Sequence, residues 1–274
     1  MRKAAVTIIF LITLLTLSCS CGGKSGSFFG GKDSLTFDSL KADSTLWLTG
    51  DTTGPRCHVS LSITYAKGKN AEIINDSIIR SGIISPDYFS LSSEKIGIKE
   101  AVDSFVSRYI SEYKKEYGEL YKADKDNVIS YNCEYEVKTS ILDKSDKYLA
   151  YVADVYIYGG GAHGMSVKIV KNIDKASGKI MSLRNVFVPG YEHELNQLIL
   201  RKLYKKFDVN NLNELHEKTV FLGIDVYPSE NFIIGDKSII FIYSPDEIAF
   251  HAAGEIVVEI DKDDLTSLLR KDIM

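Results

Sequence analysis

The chain has 274 residues, 45% of them apolar and 11% aromatic, with a formal charge of −4 and four Cys. This composition describes a folded globular protein rather than a disordered one, and it offers no basic stripe of the kind that nucleic acid requires. The five His (His58, His163, His193, His216 and His251) form no zincin or zinc-finger spacing, so no metal or other cofactor is expected.

Met1-Arg2-Lys3 is a short basic segment, and residues 4–17 follow it without a charge. A basic start, a short apolar run and small residues after it describe a secretory signal over residues 1–18. The run is too short for a bilayer crossing of about 20 apolar residues. Cys19 at the exit resembles a lipobox cysteine, with Cys21 as the alternative lipidation site. Residues 19–50, rich in Gly, Ser and Lys at the start, read as a flexible tether. The expected location is therefore outside the cytoplasm, on the periplasmic or cell-surface face, with the membrane as a partner through the N-terminal lipid.

Residues 57–65 alternate, with Cys57, Val59, Leu61, Ile63 and Tyr65 on one face of a half-buried strand. Residues 75–84 predict a short helix that Pro86 ends. Residues 94–121 predict a long amphipathic helix, with Ile98, Val102, Phe105, Val106, Tyr109, Tyr113 and Tyr117 as a packing stripe. Strands follow at 131–141 and 148–158, joined by a turn at 143–146. After the glycine-rich loop 159–164 comes a strand at 167–173. A second amphipathic helix spans 192–207, a hairpin turns at Gly235-Asp236, and a last strand at 255–260 precedes a short helix at 265–271. Helices and strands do not alternate regularly. The fold class is therefore α+β, with antiparallel sheets, two main packed helices and two small subdomains, 51–165 and 166–274. Cys57 and Cys133 both fall on apolar strand faces. They pair as a disulfide if those strands are neighbours, and otherwise are two buried thiols.

No nucleophile elbow and no complete catalytic constellation is present, so no catalytic residue is assigned. The segment Tyr158-Gly159-Gly160-Gly161-Ala162-His163-Gly164 is the most distinctive in the chain. Its glycines permit positive φ and close backbone approach, exposed amides in such a turn can bind an anion or a carbonyl, and His163 can titrate beside them. The alternative is a tight turn with no ligand.

That run, followed by Asn172-Ile173-Asp174, Ser177-Gly178-Lys179 and Leu183-Arg184-Asn185-Val186-Phe187, resembles the start of the DUF3298 domain. Its usual form is Tyr-x-Gly-Gly-Ala-His-Gly, then Asp-x-x-Thr-Gly-Lys, then Leu-x-Asp-Leu-Phe. Residues 243–254, Tyr-Ser-Pro-Asp-Glu-Ile-Ala-Phe-His-Ala-Ala-Gly, resemble the second signature of that family. Ser177 and Asn185 stand where Thr and Asp are usual, and Asp246, Phe250 and His251 where Tyr, Pro and Tyr are common. The part upstream, about 55–158, resembles the DUF4163 (PdaC-like) domain. The resemblance implies an extracytoplasmic α+β module. Such pairs occur in the anti-sigma factor RsiV, whose external part is a lysozyme receptor, and beside the separate catalytic domain of the deacetylase PdaC. The candidate binding positions are Tyr158, Gly160, Gly161, His163 and Gly164 of the loop, with Tyr243 and Glu247 of the second signature.

The expected function is a non-catalytic binding or sensing lipoprotein of the envelope, with lysozyme or a peptidoglycan-related glycan as ligand. The alternatives are an envelope hydrolase using His163 with carboxylates brought in by folding, and a structural envelope protein without a ligand.

Overall fold

The computed structural model describes residues 34–274 except 90, 92–94 and 143–144. The signal at 1–18, both lipidation candidates, the first part of the tether and the start of the 143–146 turn lie outside the described residues.

Six strands form the larger sheet in chain order: β1 (Thr36–Trp47), β2 (Arg56–Lys67), β3 (Cys133–Leu142), β4 (Tyr148–Tyr158), β5 (Met165–Asp174) and β6 (Ile180–Met181). All neighbours are antiparallel except β2 and β3. That parallel seam requires a crossover, which is supplied by α1 (Ala71–Ile79) and α2 (Ile98–Ala123). The smaller sheet is an antiparallel meander of β7 (Phe232–Ile234), β8 (Ser238–Tyr243) and β9 (Ile256–Asp261). Helices α3 (Leu183–Val186), α4 (Glu192–Phe207) and α5 (Leu212–Glu217) lie between the sheets in sequence. Among the described residues, no helix is long and apolar enough to cross a membrane.

The period-2 alternation of β2 and β3 places Cys57, Val59, Leu61, Tyr135 and Val137 under α2, whose Ala101, Val102, Phe105 and Val106 face them. The tyrosine stripe of α2 is a packing stripe. Tyr109 stacks on Tyr135 with ring centroids 5.2 Å apart, and the Tyr113 hydroxyl donates to the Tyr131 carbonyl at 2.7 Å. The solvent face of α2 carries the ion pairs Lys99–Asp103 and Arg108–Glu112, each four residues apart. The helix begins at Ile98 with Gly97 as its N-cap.

Strand β4 is buried on both faces. Leu149, Tyr151, Ala153 and Val155 join the core beneath α2, while Ala150 and Val152 meet Val170, Ile233 and Ile242 in a second core between the two sheets. Beyond the smaller sheet, Ile239, Phe241 and Tyr243 pack against Leu195, Ile199 and Leu203 of α4. The result at β4 and β5 is a four-layer stack of helix, sheet, sheet and helix. At β1 to β3 the far face of the larger sheet is left open.

Two sequence expectations change. Residues 36–47, placed in the tether, form β1, an edge strand paired along its length with β2. Its exposed face, Asp38, Lys41 and Asp43 among it, gave it the composition of a linker. The larger sheet continues past residue 165 through β5 and β6 to Met181. The final helix expected at 265–271 is a 3-10 turn at Lys262–Leu265 followed by further turns and a bridge between Phe187 and Leu269.

Candidate functional site

The glycine-rich loop closes the β4–β5 hairpin, and Gly160, Gly161 and Gly164 each meet a partner within the protein. Gly160 has φ +82°, and a Cβ there would stand 2.1 Å from the Ser130 carbonyl oxygen. Gly164 leaves room for the Tyr156 ring, whose atoms would lie 2.4 Å from an added Cβ. Gly161, at φ +101°, turns its carbonyl to accept from the Tyr158 hydroxyl at 2.9 Å. Backbone approach and positive φ are thus consumed by the fold itself. His163 is exposed, and among the described residues no ion-pair partner stands beside it.

The second signature is similarly built inward. Tyr243 is fully buried and its hydroxyl donates to the Tyr227 carbonyl at 2.7 Å. Glu247 closes a turn: one carboxylate oxygen accepts from the Ser244 amide at 2.8 Å, the other from the Tyr227 hydroxyl at 3.0 Å. Asp246 sits in the left-handed region at φ +67° and its carboxylate meets His251 Nδ1 at 2.8 Å. Two of the residues that depart from the usual signature are therefore partners of each other.

The intervening motifs are turn chemistry. The Asp174 carboxylate accepts from the amides of Ala176 and Ser177 at 2.7 and 3.2 Å, and Gly178 (φ +73°) seats α1 through a bond from the Ser77 hydroxyl to its carbonyl. Asn185, standing for Asp, still accepts from the Ser182 amide at 2.9 Å and completes the capping box of α3.

The cleft that these parts frame lies on the far face of the larger sheet, where β4 and β5 pass the 244–247 turn. Its floor is Glu136, Lys138, Asp154, Tyr156, Ser166 and Lys168, and Pro245 and Glu255 form a wall, enclosing about 470 Å³. A second hollow of about 420 Å³ continues past Val167 between Glu230, Asn231, Tyr227 and the Asp246-Glu247 corner. Lys168 is held 3.1 Å from Glu255 and 3.8 Å from Asp154. The loop borders this groove through Tyr156 and Ser166 at its two roots, not through Gly159 to Gly164. Of the predicted binding residues, Glu247 lines the groove and Tyr243 supports it from behind. Tyr158, Gly160, Gly161, His163 and Gly164 shape the hairpin end. A further depression, of about 670 Å³, follows the first turns of α2 from Gly97 to Ser107. Its lining, among the described residues, comes from α2 and its N-cap alone, away from both signatures.

One cluster has the donor types of a metal site: His58, Glu134 and Glu136, with ligand atoms within 4.8 Å of one another on the open face. The protein neutralises it internally. His58 Nε2 lies 3.1 Å from Asp43 and Nδ1 3.3 Å from Glu134, while Arg56 is 3.8 Å from Glu134. Burial opposes the imidazolium, but hydrogen bonds to Asp43 and Glu134 outweigh it and raise the His58 pKa.

Family comparison divides the chain as the signatures suggest. Residues 54–166 match the family described as deacetylase PdaC, and residues 184–263 match the family of proteins of unknown function DUF3298. The chain is thus similar to a PdaC-like domain followed by a DUF3298 domain. Between the two matched regions run most of β5 and all of β6, which belong to the sheet of the first. The fold is that of a DUF3298 family member from Bacteroides fragilis NCTC 9343, at 22% identity and a TM-score of 0.77, covering 88% of this chain and 96% of that one. A DUF3298 family protein from Pseudomonas aeruginosa PAO1 is similar at 13% identity and a TM-score of 0.59, covering 89% of this chain and 99% of that one. No curated protein sequence matches the chain.

Sequence reasoning missed the groove floor. Glu136, Lys138, Asp154 and Lys168 fall on the polar sides of predicted strands, and a polar strand face reads as plain solvent exposure until the neighbouring turn is seen to wall it.

Proposed function

We propose that the chain is an exported, lipid-anchored envelope protein whose PdaC-like and DUF3298 domains together bind a cationic protein ligand. The observation that carries this reading is the charge of the shared groove. Glu136, Asp154 and Glu255 line one part of it and Glu230, Asp246 and Glu247 the other, against Lys138 and Lys168 alone. A concave surface of one dominant sign attracts ligands of the opposite sign and speeds their encounter.

The neighbouring loop adds apolar contact area. Leu222, Ile224 and Phe250 are 56%, 46% and 66% exposed, and the loop is tied to the second signature by a bond from the Phe221 amide to the Ile248 carbonyl at 2.7 Å. Exposed apolar side chains on and near the second signature suit a protein ligand. Lysozyme is the first ligand to test, because the resemblance in sequence includes a lysozyme receptor.

Immobilised protein offered lysozyme and insoluble peptidoglycan separately tests the proposal. Retention of lysozyme, weakened as salt rises, is expected. Retention of peptidoglycan alone would transfer the site to a glycan, and retention of neither would remove both ligands.

A further inference from the structure

Cys57 and Cys133 stand directly opposite each other in the register of β2 and β3. Neighbouring strands lie about 4.8 Å apart, inside the Cα separation of roughly 4.4–6.8 Å that a disulfide takes. Both side chains project beneath α2, where Cys57 is 0% and Cys133 7% exposed. The Tyr109 hydroxyl lies 3.4 Å from Cys133 Sγ, and both sulfurs are free thiols in this structure.

We propose that Cys57 and Cys133 are an oxidation site, crosslinked after export by exchange with a disulfide-bearing oxidant, so that a covalent staple closes the one parallel seam of the larger sheet. The inference rests on the export part of the reading above and is independent of what the groove binds.

Either sulfur, as its thiolate, attacks the oxidant's disulfide and displaces one thiolate to give a mixed disulfide. The other Cys then loses its proton and attacks the sulfur of the first, forming the Cys57–Cys133 bond and expelling the second thiolate. The protein gives up two electrons and two protons, and the oxidant leaves as a dithiol. Because both sulfurs are buried once α2 is docked, exchange occurs while the crossover is still undocked. The bond fixes a loop spanning residues 57–133, which includes both crossover helices.

The full chain, refolded in a glutathione buffer rich in oxidised glutathione, is alkylated under denaturing conditions and mapped by mass spectrometry without reduction, which separates this pair from Cys19 and Cys21. A linked peptide pair containing Cys57 and Cys133 is expected. A midpoint of thermal unfolding about 10 °C above that of the reduced protein is also expected, with no such gain in the Cys57→Ser/Cys133→Ser variant. Two alkylated thiols after oxidative refolding would overturn the pairing. A pair that links on refolding but stays fully alkylatable in living cells would overturn its use after export while leaving the groove reading to its own test.

Discussion

Gly160 and Gly161 are adjacent in the chain and both have positive φ, yet they differ in what surrounds them. A methyl at Gly160 meets the Ser130 carbonyl at 2.1 Å, whereas a methyl at Gly161 meets nothing within 4 Å. Gly161→Ala is expected to cost about 1 kcal/mol, the strain of a left-handed alanine. Gly160→Ala adds a backbone collision and is expected to cost about 3 kcal/mol or more. Denaturant melts of the two variants check the order, and equal losses would refute a packing role for Gly160. The loop's unusual composition was legible in the sequence, but its purpose was not, because Ser130 lies thirty residues upstream and only the closed hairpin brings it near. The same holds for Glu247 and Tyr243, whose partners Ser244 and Tyr227 turn a surface signature into a folded corner.

At the scale of elements, the joints between strands rest on a few polar side chains. Asn172 of β5 is 1% exposed, donates to the Phe232 carbonyl at 2.7 Å and accepts from the Ile234 amide at 2.9 Å, so a side-chain amide replaces a strand in joining the two sheets. Asn172→Ala leaves both backbone groups buried without that partner, and a loss of about 3 kcal/mol in chemical denaturation is expected. On the open face His58 ties β1 and β3 to β2 through Asp43 and Glu134. Its folded pKa is raised above the unfolded value, so its contribution is full below an unfolded pKa of about 6.5 and is lost as pH rises through the folded value. The stability gap between wild type and His58→Gln is therefore expected to be widest below about pH 6.5 and to shrink as the pH rises above it; a gap that widens with pH would contradict the assignment. Helix α4 and the strands with clean alternation were legible because burial on one face imposes the period. Strand β1 was not, since its inward face is only half-buried (Leu40, Ala42 and Leu46) and it follows directly on the Gly- and Ser-rich stretch, and the parallel seam at β2 and β3 was invisible because pairing partners are set by the crossover rather than by local sequence.

At the scale of the whole molecule, the groove exists only because two domains of separate sequence family share one sheet face. The PdaC-like part supplies its floor at Glu136 and Asp154, and the DUF3298 part its far wall at Pro245 and Glu255. Neither half contains the site alone, which explains why each signature read by itself pointed to the hairpin end and the 244–247 turn. Glu136 and Glu230 lie in different parts of the groove, and both are exposed. Their combined reversal changes its charge without touching a core. The most direct measurement is calorimetric titration of lysozyme into the wild-type protein and into the Glu136→Lys/Glu230→Lys variant at low salt. The account predicts binding to the wild type that weakens at least about tenfold in the variant, roughly 1.4 kcal/mol. Equal affinity of the two proteins for lysozyme would contradict it.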